Sequence, residues 1–397
     1  MVGGEVAPGF EAVRDEFERN FSERRELGAA VAAYVGGEKV VDLWGGVRDA
    51  RDGSPWERGT LVILYSTSKG LAAMTLALAH SRGWLDYDAR VTDYWPEFGA
   101  EGKGEVTVRQ LLAHEAGVPV IDEPLDAKKL EDFDALAEAI AKQKPVWKPG
   151  TRHGYHGVSL GWYMGELIRR VDPQHRTLGR FFKEEIAGPL DLDVHFGIED
   201  LPRERLARIE RAHPLRDLVE TRHLPRGMAL GMANPRSITY RTFANPRLGR
   251  APNLDRAEFR RVEFPAGGAL GNARDIALAY SSLSPERNGI GLSRETLHEL
   301  TRFPVPPPRG WHDEVLKADT AFSLGFARPL KKFRFGSSQR SFGHPGAGGS
   351  FAFWDPERDV SFAYVMNRMS MHLRDDPREK ALRDALYRCP DYDKASS

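Results

Sequence analysis

Apolar residues recur at three- and four-residue spacing from Phe10 through Val13 and Phe17 to Phe21, with charged residues between them, and this spacing predicts an amphipathic helix over residues 10–21. Two short β-rich runs, residues 29–35 and 39–44, flank Gly36-Gly37, the punctuation of a hairpin. Residues 70–79 are mostly good helix formers, so a helix opens close to Ser66-Thr67-Ser68-Lys69. Helical patterns continue at residues 106–114, 133–142 and 160–171. From about Leu201 to Phe264 the periodicity fades among Arg, Pro and the short apolar stretch at 228–233, which predicts long ordered loops or a lid. Strand patterns return at 322–326, 350–354 and 360–365, and residues 377–387 read as a closing helix. Strands near both ends with helices between them predict one sheet assembled from both ends of the chain around a helical insertion.

Composition narrows the class. A chain of 397 residues buries a large core and, at about 100–200 residues per domain, divides into two or three lobes. Lys plus Arg balances Asp plus Glu at 57 each, so no global field gathers nucleic acid or an anionic membrane, and a nucleic-acid role has no support. Cys389 is the only cysteine, which rules out an internal disulfide and fits a reducing, cytoplasmic setting. Residues 1–10 lack a basic region followed by an apolar core and do not read as a secretory signal. The longest apolar runs fall well short of the roughly 18 residues that span a bilayer, so a soluble protein with no membrane partner is expected. Nothing in the pattern specifies an oligomeric state.

The candidate chemistry begins at Ser66 and Lys69. Positions i and i+3 of a helix share one face, about 5–6 Å apart at Cβ, so the Lys69 amine can reach the Ser66 hydroxyl. The helix entrance also offers unpaired N–H groups to developing negative charge. A serine hydroxyl attacks an ester only with an adjacent base, and lysine serves as that base only if its pKa is lowered. About one Ser-x-x-Lys is expected by composition in a chain this long, so the pair draws its weight from its partners. Two Gly-rich segments supply them: Tyr155 lies in the loop 149–157 directly before a helix, and His344 lies in 342–350 before a strand.

Rival readings are weaker. Gly157-Val158-Ser159-Leu160-Gly161 matches Gly-x-Ser-x-Gly, but no apolar strand precedes it, so Ser159 reads as a helix-start residue. His114-Glu115 lacks the second histidine of a zinc helix, and His153 and His156 lack a third ligand, so no metal site is expected and His114 reads as structural. The charged helix at 131–142 reads as a solvated face.

Taken in order, Ser66-x-x-Lys69, the helix Val108-Arg109-Gln110-Leu111-Leu112-Ala113-His114-Glu115-Ala116-Gly117, Tyr155 after Pro149-Gly150, and His344-x-Gly346 resemble the serine β-lactamase and penicillin-binding-protein superfamily. The resemblance covers residues 28–369 and is strongest to family VIII carboxylesterases, with relatives among D-aminopeptidases, acyltransferases and nylon-oligomer hydrolases. It implies an α/β (α+β) fold: a mainly antiparallel sheet flanked by helices, residues 1–84 and 265–397, plus a mainly helical domain with lid-like loops, residues 85–264. It also implies that Ser66 is the acylated nucleophile, Lys69 takes its proton, and Tyr155 is a second base that relays protons to the leaving group. A tyrosine between two amines would ionise more readily. The backbone N–H groups of Ser66 and Ala347 would form the oxyanion hole, with Gly346 and Ala347 beginning the strand edge that lines the cleft. No metal or organic cofactor is implied.

Two departures bear on substrate. The usual Tyr-x-Asn reads Tyr155-His156-Gly157 and the usual Lys-Thr-Gly reads His344-Pro345-Gly346, so a donor amide and a permanent cation are both missing. β-Lactams use both groups and a simple ester needs neither. The expectation is therefore hydrolysis of small carboxylic esters through acyl-Ser66. The alternatives are a β-lactamase, amidase or D-aminopeptidase, an acyltransferase on the same machinery, or a non-catalytic binding scaffold, against which the retained Ser66, Lys69 and Tyr155 argue.

Overall fold

In the computed structural model, which describes residues 2–197, 201–210, 221–246, 262–287 and 289–389, the first strands are β1 (Val2–Val6), β2 (Gly28–Val35) and β3 (Glu38–Asp49). Gly36 and Gly37 join β2 to β3 with φ of 58° and 89°, and a two-residue type I′ hairpin requires positive φ at both. The remaining strands are β4 (Ser54–Pro55), β5 (Val62–Ile63), β6 (Leu270–Gly271), β7 (Phe322–Ser323), β8 (Phe326–Ala327), β9 (Phe342–Pro345), β10 (Phe351–Asp355) and β11 (Val360–Met366). They build a nine-stranded sheet of order β1-β3-β2-β11-β10-β9-β8-β7 with β4 beside β3, while β5 and β6 pair separately. Every pair within it is antiparallel.

The joint between the two ends of the chain is β2 against β11, with Ala33 opposite Phe362. All eight residues of β2 are buried, because both faces of the sheet are covered. Val31, Ala33, Phe353 and Phe362 point to one face, where Val13 and Phe17 of helix Glu11–Ser22 and Leu382 of helix Pro377–Leu386 close the core. Ala30, Ala32, Ala352 and Ala363 point to the other face, where helices Ser68–Ser81, Ala273–Ser281 and Leu160–Val171 contribute to a second core. Residues 68–79 of helix Ser68–Ser81 are all buried, as befits a helix that is apolar on nearly every side. No described helix is long and apolar enough to cross a membrane.

Several local readings change. Residues 322–326 form two short strands, β7 and β8, because Leu324 and Gly325 turn the chain with φ of 51° and 87°. The alternation Phe322-Ser323-Leu324-Gly325-Phe326 reads as a single strand and masks that turn. Of the stretch 201–264 read as loops, helices Arg226–Ala233 and Ile238–Ala244 occupy part, and residues 211–220 and 247–261 lie outside the described residues. Strand β1 and helices Ala273–Ser281 and Arg294–Thr301 lie outside the elements expected above, and Asn272 and Ser293 cap the two helices by accepting N–H bonds from Asp275 and Thr296. His344 lies within a strand, β9, whereas Gly346 and Ala347 follow that strand in the turn to β10.

Candidate active site

Ser66 occupies a short 3₁₀ turn, Tyr65–Thr67, immediately before helix Ser68–Ser81. Tyr65 holds φ at 48°, a left-handed conformation that a bulky residue adopts only under the constraint of its surroundings. One turn on, the fully buried Lys69 places Nζ 3.3 Å from Ser66 Oγ. Nζ also donates to Gly157 O and Ala266 O, each at 2.7 Å. Burial holds the amine well below its usual value of 10.5. A neutral amine has two hydrogens and one lone pair; the two carbonyls take the hydrogens, and the lone pair is left for the serine proton.

Tyr155 reaches the same point from the loop before helix Leu160–Val171. Asp313 fastens that loop: its carboxylate accepts the Tyr155 N–H at 3.1 Å, the Val315 and Leu316 N–H groups at 2.8 Å, and the Thr320 hydroxyl at 2.9 Å. His156 donates from Nδ1 to Gly154 O at 2.7 Å and accepts the Val118 N–H at Nε2, 3.1 Å, while His114 Nδ1 accepts the His156 N–H at 3.0 Å. These histidines brace the loop. The Tyr155 ring stacks on Phe322 at 5.4 Å, lies 4.9 Å from Lys69 Nζ, and has its hydroxyl hydrogen-bonded to Ser66. Burial raises its pKa above the ordinary phenol value, contrary to the expectation of easier ionisation. Among the described residues no second amine acts on Tyr155, and it rests as a phenol.

The missing amide after Tyr155 has a steric reason. A Cβ on Gly157 would come within 2.5 Å of the Phe243 ring, so Phe243 closes off the space that an asparagine side chain needs.

On β9, the buried His344 ring donates from Nδ1 to Pro345 O at 2.8 Å, and Nε2 has no hydrogen-bond partner among the described residues. Burial, with Lys69 nearby, pushes it down to about 3, so the ring is neutral where a permanent cation was expected to be missing. A Cβ on Gly346 would meet Ser350 Oγ at 2.2 Å and Leu64 O at 2.5 Å, so only glycine lets this turn close on the segment that carries Ser66. Ala347 beside it is exposed. Neither the Ser66 nor the Ala347 N–H is spent on a hydrogen bond among the described residues. The geometry thus gathers Ser66, Lys69, Tyr155, His344, Gly346 and Ala347 around one point.

Among known protein families, the Beta-lactamase family model matches residues 14–387. The chain belongs to the beta-lactamase family. It is a serine hydrolase with the β-lactamase/transpeptidase-like fold. The esterase/beta-lactamase LipL of Mycobacterium tuberculosis is 33% identical over 380 residues, covering 93% of this chain and 83% of the relative. The crystal structure of a family VIII carboxylesterase is 36% identical, with a TM-score of 0.82 over 98% of this chain and 100% of the other. A penicillin-binding-protein homolog from Caulobacter crescentus is 34% identical, with a TM-score of 0.83 over 98% of this chain and 99% of the other.

In this beta-lactamase-family chain a cleft of about 410 Å³ opens at Ser66, within the size range of small-molecule sites. Its wall is largely apolar: Met228 and Met232 come from helix Arg226–Ala233, Phe243 from helix Ile238–Ala244, and Met369 and Met371 follow β11. No motif marks these residues or Asp313. The only trace in the chain is the four-residue spacing of Met228 and Met232. The rival Ser159 is buried and directs its hydroxyl to Val118 O at 2.9 Å, away from any cleft nucleophile role.

Proposed function

We propose that this chain hydrolyses small carboxylic esters through an acyl-Ser66 intermediate, in a cleft between a sheet unit (residues 1–84 and 265–397) and a mainly helical unit (85–264). The observation that carries the reading is the buried Lys69 amine, 3.3 Å from Ser66 Oγ with its two hydrogens engaged elsewhere. Lys69 accepts the hydroxyl proton as Oγ bonds to the ester carbon. The carbonyl electrons move to an oxygen facing the Ser66 and Ala347 N–H groups, which stabilise charge present only in the transition state. Collapse breaks the bond to the alcohol, whose oxygen takes the Tyr155 proton, and the Lys69 ammonium restores that proton to the phenol. Water then attacks the acyl carbon with the same groups acting in reverse, releasing the acid.

The site supports an ester over a β-lactam. A neutral His344 offers no charge to a carboxylate, and Phe243 occupies the region where an amide-binding side chain would enter. An ester also has a better leaving group than an amide. A relative described as a family VIII carboxylesterase supports the same order.

The test is labelling with a serine-directed fluorophosphonate, followed by intact mass and peptide mapping, on wild type and Ser66→Ala. Label is expected on Ser66 alone; label on Ser159, or none, overturns the assignment. Rates on short-chain aryl esters against a chromogenic cephalosporin rank the substrates, and cephalosporin turnover equal to or faster than ester turnover reverses the order.

A further inference from the structure

The turn at residues 346–349 carries the Ala347 N–H, and contacts hold it from two sides. Toward the nucleophile, the Ser350 hydroxyl donates to Leu64 O at 2.9 Å and lies 3.1 Å from Thr67 Oγ1, which ties the turn to the residues flanking Ser66. From another direction, the Arg378 guanidinium donates through Nη2 to Gly348 O at 2.7 Å. Arg378 belongs to the first turn of helix Pro377–Leu386, far from Ser66 in sequence, and its side chain is only 4% exposed.

All five N–H donors of this fork are placed. Nε goes to Asp376 Oδ1 at 3.0 Å, and the second Nη2 hydrogen goes to Asp376 Oδ2 at 2.9 Å. Nη1 reaches Glu26 Oε1 and Arg368 O, both at 3.0 Å. Glu26 in turn accepts the Tyr364 hydroxyl. The turn sits directly on this network, because a Cβ on Gly349 would come within 2.7 Å of Asp376 Oδ2 and 2.9 Å of Arg378 Nη2. Gly348 and Gly349 hold φ of 91° and 117°, so the turn has a backbone conformation that other residues rarely adopt.

A buried ion network is weak evidence for stability, since apolar replacements are often neutral. Its bond to the turn has a different consequence. We propose that Arg378 is a positioning residue for catalysis: its bond to Gly348 O sets the tilt of the turn and so aims the Ala347 N–H at the reacting carbonyl oxygen. The inference rests on the oxyanion role given to Ala347. A lysine cannot replace it, because one ammonium cannot span a planar five-donor fork. Misplacement by about 1 Å costs on the order of 10² in rate, and complete loss of one oxyanion donor about 10²–10³.

Two variants test it, both checked for folding by melting temperature. Arg378→Lys keeps the charge but not the fork. The triple variant Glu26→Gln, Asp376→Asn, Arg378→Met removes the buried charges together, while an asparagine in place of Asp376 can still cap the helix. In each folded variant kcat/KM on an aryl ester falls about 10- to 100-fold. Affinity for an arylboronic acid, which mimics the tetrahedral state on Ser66, falls by the same factor, while inhibition by the product alcohol is unchanged. In an Ala347→Pro background the Arg378→Lys loss disappears, since the donor it aims is gone. A folded variant with the wild-type rate overturns the proposal, and so does a loss that multiplies with that of Ala347→Pro. If the triple variant does not fold, Arg378→Lys decides alone. Activity surviving in Ser66→Ala would instead sink the acyl-Ser66 reading.

Discussion

Replacing Ala347 with proline removes one N–H group and puts the ring Cδ where its hydrogen was. The Ala347 methyl is exposed, and its N–H has no acceptor among the described residues. The bonds that shape the turn belong to its neighbours, Gly346 N–H to Ser350 O at 2.7 Å and Gly349 N–H to Gly346 O at 3.3 Å. Unlike Gly348 and Gly349, Ala347 avoids positive φ, and the residue before it is a glycine that tolerates the restriction proline imposes. Melting temperature should therefore stay close to wild type. Removing one of two oxyanion donors costs about 10²–10³ in kcat, equivalent to about 2.7–4 kcal/mol of transition-state stabilisation. The assay is kcat/KM on an aryl acetate beside the inhibition constant of an arylboronic acid, with Ala347→Gly as the control that keeps the N–H. The variant should lose at least 10² in both measures while the control stays within a few-fold. A folded Ala347→Pro enzyme with less than a tenfold loss would show that this N–H does not face the oxyanion, and the reasoning fails.

The remaining predictions concern proton transfer and the competing serine. Lys69 acts as a base only when neutral and is held well below 10.5, so kcat/KM should climb with pH and level off well short of that value. The unfolded chain binds that proton more readily, so Lys69 costs stability at low pH and the cost fades as pH rises toward 10.5. Lys69→Arg, which cannot deprotonate, should lose about 10²–10⁴ in acylation rate at every pH, and an active arginine variant would exclude the base role. Tyr155→Phe keeps the 5.4 Å stack on Phe322 but not the phenol proton, so the same 10²–10⁴ loss is expected with little change in melting, a split read from kinetics and calorimetry together. Ser159→Ala removes the bond to Val118 O and should cost about 1 kcal/mol of stability by urea denaturation, with fluorophosphonate labelling intact.

Features set by neighbours in the chain were legible before any fold was known. The hairpin at Gly36-Gly37, the helix Leu160–Val171 and the reach of Lys69 to Ser66 all follow from periodicity and covalent spacing, which the folded chain cannot alter. The motif residues Tyr155 and His344 were legible as types in order along the chain. Their chemical states were not. Burial holds Lys69 well below its usual value, with carbonyls supplied 88 and 197 residues further on, and burial raises Tyr155 despite its bond to Ser66. Asp313 fastens the tyrosine loop across 158 residues, and Phe243, on a helix read as loop, fills the space after Tyr155. The pairing of β2 with β11, which joins the two ends of the chain, is likewise invisible to any local window. The sequence by itself determined which groups are present and which of them share a helix face; desolvation and aim depend on everything packed around a group in space, and only the tertiary structure decided those.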